Sequence, residues 1–308
     1  MSIKQPYLIL LLSSTMLFGC FGNKKSNNFD KKKQELVSQL GQSDWEAPEK
    51  VMALIEPNIY TSDGVRHRKG RSKYGGAPDL PNSIKWPEYN GKPMVFFGQI
   101  NLAEATLFDI DKMLPETGLL YFFAYFKKPD NEFGAEYEFQ IERDRYQVLY
   151  FDGNLEDLVE TEFPKQLPNE YNFKEIPIVL NIDFRVSSTT DTWKYQAQNL
   201  STKDKELYEA LLEGSDFCVG ETMLGTPCPV QDAVEVDWSY SYIQSSDYQS
   251  EEVKKQVETL RPNFINLFSF GMWGKFDSIG TSGCYFGILK DDLKQRDFSK
   301  TVFVMQDT

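Results

Sequence analysis

Short runs rich in β-branched and aromatic side chains punctuate the chain at residues 95–102, 118–126, 137–142, 146–151, 178–186, 264–270, 283–289 and 301–305. Runs of this length, separated by Gly-, Pro- and Asn-containing stretches, suit strands that pack at least one face into a core. The 23 Phe, 16 Tyr and 5 Trp supply the large apolar side chains that such strands bury. Helical spacing is confined to 29–40, 102–113, 204–212, 250–260 and 290–297, with Leu207, Ala210 and Leu211 forming the stripe of the third. The expected fold class is α+β, a mainly antiparallel β-sheet with a few peripheral helices.

The amino terminus reads as an address rather than as structure. Lys4 gives a positive start, residues 7–12 an apolar core, and Leu17-Phe18-Gly19-Cys20 places a small residue before a cysteine. This resembles a bacterial lipobox, which implies a signal peptide over 1–19, acylation of the Cys20 thiol, and a membrane anchor for the mature protein. The apolar run falls well short of the ~20 residues that span a bilayer. Residues 21–33 carry five lysines and one acid, the composition of a flexible tether. The expected organisation is a signal peptide at 1–19, a lipidated tether leading into a helix at 20–44, and a single domain over 45–308. The expected localisation is the cell envelope. Phe21 stands where an Asp marks inner-membrane retention in enteric bacteria, which points to the outer membrane of a Gram-negative cell.

Charge and rare residues exclude several functions. With 33 Lys+Arg against 46 Asp+Glu, the net charge of −13 lacks the broad basic face that duplex binding needs, so no nucleic-acid partner is expected. His67, the lone histidine, leaves no second imidazole for a His-rich metal site, and neither metal nor cofactor is expected. With Cys20 consumed by lipid, Cys218, Cys228 and Cys284 remain, enough for one intramolecular disulfide. A Cys218–Cys228 bridge would close a short loop, and Cys284 sits in an apolar run as an inert thiol.

An internal echo runs through the first and last thirds. Gly75-Gly76-Ala77-Pro78-Asp79 parallels Leu224-Gly225-Thr226-Pro227-Cys228. The segments 96–102 and 118–123 then parallel 266–272 and 283–288. The ordered recurrence predicts two related halves, roughly 70–150 and 215–308, produced by internal duplication.

These same landmarks resemble the YwqG-like family of bacterial proteins. The resemblance rests on Ser72 to Pro81, Trp86-Pro87, Pro93-Met94, Gln99-Ile100-Asn101-Leu102, Leu114-Pro115, Gly118 to Phe123, and the closing Asp291-Asp292-Leu293 and Asp297-Phe298. It covers about 71–306 and implies a domain of unknown activity. Three second-half positions depart from the family pattern. Glu221 replaces a frequent His, Ser269 a usual Gln, and Lys275 the Asp of Trp-Gly-Asp, so a site that used those groups is altered here.

The remaining candidates admit two readings each. Arg66, Arg68, Lys69, Arg71 and Lys73 concentrate positive charge before the Gly75-Gly76 bend. They could hold an anionic ligand, with Arg68, Arg71 and Lys73 nearest the bend, or could pair with internal acids. Gln99 and Asn101, two apart in a strand, share a face with Phe97 and either line a cleft or cross-link strand to loop. Trp86 and Trp273 could stack a ligand or fill a core. The abundant carboxylates, such as Asp109 with Asp111 and Glu156 with Asp157, could form an acid/base pair, though so many acids produce adjacent pairs by chance. The leading expectation is a membrane-tethered, non-catalytic binding module. Its partners would be the membrane, through Cys20, and an envelope protein or anionic ligand. The alternative is a cell-envelope hydrolase with paired carboxylates in the groove between the halves.

Overall fold

A computed structural model describes residues 38, 44–65, 68–126, 143–187, 193–213, 221–231, 233–272, 274–277, 279 and 283–306. They fall into two compact units, one drawn from 1–56 and 186–219, the other from 57–185 and 220–308. In the first unit, helices Pro48–Met52, Trp193–Gln198 and Thr202–Glu213 enclose Val51, Leu54, Leu200 and Tyr208. The buried Asp204 carboxylate accepts the backbone N–H groups of Glu46 and Ala47 at 2.8 and 3.0 Å, fastening the entering chain to the long helix. The expected helix at 204–212 is therefore present, but Ala210 faces solvent and the buried side runs through Asp204 and Tyr208. An inward carboxylate that captures two amides shifts the stripe away from the apolar residues alone.

The second unit is built on a ten-stranded sheet. Its strands are β1 (Ile55–Asp63), β2 (Lys73–Tyr74), β6 (Val95–Asn101), β7 (Leu119–Ala124), β8 (Tyr146–Phe151), β10 (Ile176–Val186), β11 (Thr222–Met223), β12 (Phe264–Gly271), β13 (Gly283–Leu289) and β14 (Val302–Gln306). They lie in the order β14-β13-β12-β11-β1-β10-β2-β6-β7-β8. The ladders from β14 to β1 and from β10 to β8 are antiparallel. Two small sheets flank them, pairing β3 (Asp79–Pro81) with β9 (Leu158–Glu160) and β4 (Glu88–Tyr89) with β5 (Lys92–Pro93).

The large sheet curls until its outermost strands meet, with the rings of Tyr146 on β8 and Phe303 on β14 5.9 Å apart. Aromatic rings fill the concave face: Phe122 lies 4.9 Å from Phe268 and 5.0 Å from Phe286, and Phe97 5.2 Å from Phe270. The result is a nearly closed, barrel-like sheet whose interior is packed rather than open. The register slips between Phe96 and Gly98 on β6, and between Asn266 and Phe268 on β12. A bulge inserts one residue and breaks the two-residue alternation. Phe97 therefore turns into the core, while Gln99 and Asn101 face outward, which corrects the expectation that all three share a face.

Seven expected strands appear within two residues of their expected limits, and the run at 137–142 lies outside the described residues, as does the helix at 29–40 apart from Ser38. The helix expected over 102–113 stops after Leu102–Ala105, because Lys112 adopts a positive φ of 53° and Asp109 turns back to accept the N–H of Leu114 at 2.7 Å. The helix at 290–297 likewise ends at Lys294, before Arg296 at φ 57°. The helix at 250–260 forms as Glu251–Leu260, capped by the Ser250 hydroxyl, which accepts from the Val253 N–H at 3.3 Å. Helix Val234–Ile243 has no counterpart among the expected elements. Its Trp238 donates to the Tyr285 carbonyl at 3.1 Å and lies flat on Gly287, where a Cβ would come within 2.3 Å of the indole.

Candidate functional site

Two polar clusters border the curled sheet, one where β6 finishes and β7 begins, the other where β1 and β12 finish and β11 and β13 begin. They lie on opposite faces.

The outer cluster is centred on Asp79 and Gln99. Pairing of Lys73 with Gln99 across β2 and β6 sets the Gln99 amide between Arg71, before β2, and Asp79, after it. Its Oε1 accepts the Asp79 N–H at 3.0 Å, and its Nε2 donates to the Arg71 carbonyl at 2.9 Å and to Asp79 Oδ2 at 2.8 Å. That carboxylate oxygen also accepts the Gly70 N–H at 2.8 Å. Asn101 continues the pattern. Its Nδ2 donates to the Gly70 carbonyl at 2.6 Å, and its Oδ1 caps helix Leu102–Ala105 by accepting the Ala103 N–H at 3.0 Å. Lys73, only 2% exposed, places Nζ 3.0 Å from Glu175 and 3.5 Å from Asp79. The Arg71 guanidinium pairs with Glu104. The structure thus brings Arg71, Lys73, Gln99 and Asn101 together; Lys73, Gln99 and Asn101 fasten a loop to a strand, while the Arg71 side chain stays 57% exposed beside Glu104.

The other candidates stand apart from this cluster. Arg68 is exposed, its carbonyl accepting the Arg71 N–H at 3.2 Å. Trp86 is half-buried, donates to the Met94 carbonyl at 2.8 Å, and packs edge-on against Phe123. Asp109 is consumed by its turn, while Asp111, Glu156 and Asp157 are exposed. Cys228 is disulfide-bonded, and Cys284 is a buried free thiol whose pKa is pushed well up by desolvation. Cys20, His67, Cys218 and Trp273 lie outside the described residues. Among the described residues, no group of three His, Cys, Asp or Glu side chains is placed to hold a metal ion.

The inner cluster lies at the mouth of the curled sheet. After β12 the chain turns sharply: the N–H groups of Lys275 and Phe276 bond the Met272 carbonyl at 3.1 and 2.7 Å, and Gly274 takes φ 74°. This turn drives Met272 and Phe276 into the interior as a plug, with Phe276 5.1 Å from Phe97 and 5.5 Å from Phe270. It also lays Lys275 over the Tyr74 ring, Nζ 5.5 Å from the centroid. Lys275 Nζ meets Glu221 Oε1 at 2.6 Å, and Thr61 Oγ1 donates to the other Glu221 oxygen at 3.2 Å. The Tyr74 hydroxyl lies 3.1 Å from Thr61 Oγ1, and burial followed by the Glu221 charge raises its pKa well above the usual phenol value. Sequence reasoning singled out Glu221 and Lys275 as departures from a pattern. It had no means of placing them against each other across 54 positions.

A family model described as Domain of unknown function (DUF1963) matches residues 72–306. No curated protein matches the chain. Both clusters except Thr61, Gly70 and Arg71, all of the second unit's strands after β1, and both Gly-Pro loops fall inside the matched span, and the chain belongs to the DUF1963 family.

Proposed function

We propose that this protein is a lipid-anchored, non-catalytic binding module of the bacterial cell envelope, built from two related halves. The anchor reading rests on Leu17-Phe18-Gly19-Cys20 and the lysine-rich segment behind it. Thioether acylation at Cys20 with acylation of the freed amino group gives more than the two signals that stable attachment requires. No helix among the described residues is long and apolar enough to cross a membrane.

The binding reading is carried by how the outer cluster is used. Gln99, buried in full, places all its hydrogen bonds within the protein, and Lys73 lies between two internal acids. A catalytic amide or ammonium must present its polar atoms to a substrate, and these do not. Function then belongs to surfaces and rims rather than to a buried reactive group.

Support for two halves comes from matched details. Gly75 and Gly76 have φ of 52° and 66°, and Leu224 and Gly225 have 56° and 76°. Lys73 pairs with Gln99 as Thr222 pairs with Ser269. Each bulge falls two residues before that partner. The Tyr121 hydroxyl donates to the Asp79 carbonyl at 2.6 Å, and the Tyr285 hydroxyl to the Cys228 carbonyl at 2.7 Å. These bonds match Tyr121 with Tyr285, one position from the sequence alignment. One half is β10-β2-β6-β7-β8 and the other β1-β11-β12-β13-β14, meeting at the centre of the strand order.

Anchoring is tested by Cys20→Ala in the full chain. The variant is expected to lose acyl labelling and to leave the membrane fraction or persist as an uncleaved precursor. Wild-type labelling and fractionation would overturn the anchor.

A further inference from the structure

We infer that Lys73 and Asp79 condense to an internal amide cross-link, an isopeptide bond that forms once per folded chain with loss of water and fastens the Gly75-Gly76 bend. The two side chains are 2% and 1% exposed, with Lys73 Nζ 3.5 Å from Asp79 Oδ1. A buried ammonium and carboxylate lose hydration that their attraction does not fully return. Condensation replaces both charges with one neutral amide, so the burial that penalises the ion pair favours the product. Both ends are held in place. Lys73 lies in the β2 ladder between Gln99 and Pro177. Asp79 donates its N–H to Gln99 Oε1 at 3.0 Å and accepts the Tyr121 hydroxyl on its carbonyl at 2.6 Å. Such fixing supplies the proximity that a condensation in water lacks.

Three further groups supply the chemistry. Asp79 Oδ2 accepts the Gly70 N–H and a Gln99 Nε2 hydrogen, each at 2.8 Å, and both donors are placed for the negative oxygen that develops on attack. Glu175 Oε2 lies 3.0 Å from Lys73 Nζ and keeps 21% of its side-chain surface in solvent, which makes it both proton relay and outlet. It first carries one proton from the ammonium to Asp79 Oδ1. The amine lone pair then forms the Nζ–Cγ bond, and charge collects on Oδ2. A second proton follows the same route to Oδ1, the Cγ–Oδ1 bond breaks, and water leaves past Glu175. One ammonium and one carboxylate become one amide and one water, with Glu175 returned to its carboxylate form and no other reactant consumed. No outside substrate is turned over, so the step stands beside the binding reading and does not depend on it. Under the two-half reading the matched loop is also covalently tied. The Tyr285 hydroxyl reaches the Cys228 carbonyl as Tyr121 reaches that of Asp79, and Cys228 is disulfide-bonded.

The test is a tryptic peptide map of the full chain, purified folded and denatured before digestion. An amide on Nζ blocks cleavage after Lys73, so cuts after Arg71 and Lys85 are expected to release residues 72–85 as one peptide. That peptide should be lighter than its sequence by one water and should yield no backbone fragments between Lys73 and Asp79. Recovery of 74–85 at its unmodified mass would overturn the inference. So would the same peptide lighter by one water, because an Asp79 succinimide leaves Lys73 open to trypsin. Chain recovered unfolded from inclusion bodies in urea is expected to be cleaved at Lys73 and to acquire the block only on refolding; a block present beforehand would overturn the dependence on this geometry. Asp79→Ala is expected to restore cleavage, and a persisting block would place the bond elsewhere and overturn the assignment. Glu175→Gln is expected to slow the appearance of the block at least about a hundredfold, the lower range for losing an acid–base group, and an unchanged rate would overturn the relay. The wild-type map decides the bond itself whether or not a variant folds.

Discussion

Gln99 shows how far a single position can be read. Its place on a strand two before Asn101 was visible in the sequence, and so was the choice between a cleft and a cross-link. The choice depends on Asp79, Arg71 and Gly70, whose proximity arises from a loop that doubles back over β6. Sequence spacing does not reveal this, and the bulge at Phe97 hides even the facing of neighbouring side chains. Because Gln99 is fully buried, its value lies mainly in not leaving partners unpaired. Gln99→Leu keeps the volume but strips the Asp79 N–H, the Arg71 carbonyl and one Asp79 carboxylate oxygen of a partner each. Its expected cost is about 2–4 kcal/mol, set by buried polar groups that lose their bonds. Urea unfolding checks it: an unchanged midpoint and slope would mean that water satisfies all three groups, and the loop would not depend on Gln99.

At the scale of elements, the longer strands after β1 were legible, and the helices Pro48–Met52, Trp193–Gln198 and Val234–Ile243 were not. The strand runs announce themselves because β-branched and aromatic residues fit a pleated surface and Gly or Pro stops them. β1, with Pro57 and Asn58 near its start, lacks that signal, yet it becomes a central strand because β11 and β10 lie on either side of it. Helix Val234–Ile243 is obscured for the opposite reason. Its Val, Trp and Tyr residues favour strands, and tertiary packing overrides that preference by burying Val234, Trp238 and Tyr240. The contact on which this depends is Trp238 against Gly287. Gly287→Ala places a methyl where the indole lies and cannot be absorbed without moving the helix or β13. The expected loss is about 1–3 kcal/mol, the usual cost of overpacking a core. Amide exchange should quicken in Val234–Ile243 more than in β6 and β7. Equal quickening throughout would show that the helix is not separately sensitive to this contact.

For the whole molecule, the sequence contains an echo, and left-handed bends and register shifts recur at the echoed positions of the structure. Under the two-half reading, Lys73 corresponds to Thr222 and Glu175 to Asn58: Gly76 lies against Glu175, and Gly225 against Asn58, in the same left-handed bends. One half carries a charged pair at these positions, Nζ to Oε2 at 3.0 Å. The other carries neutral side chains, and Asn58 Oδ1 is buried with no hydrogen-bond partner. If the halves are equivalent, the pair can be transplanted. Thr222→Lys alone buries an ammonium and Asn58→Glu alone a carboxylate, each at a cost of more than about 2 kcal/mol. Made together, the two side chains should face each other as Lys73 and Glu175 do and recover on the order of 1–3 kcal/mol of coupling, the range for directly interacting neighbours. Chemical unfolding of wild type, both single variants and the double variant measures that coupling. Strictly additive losses would mean that the two positions do not meet, and the correspondence between halves would fail where the matched bends and bulges predict it most directly.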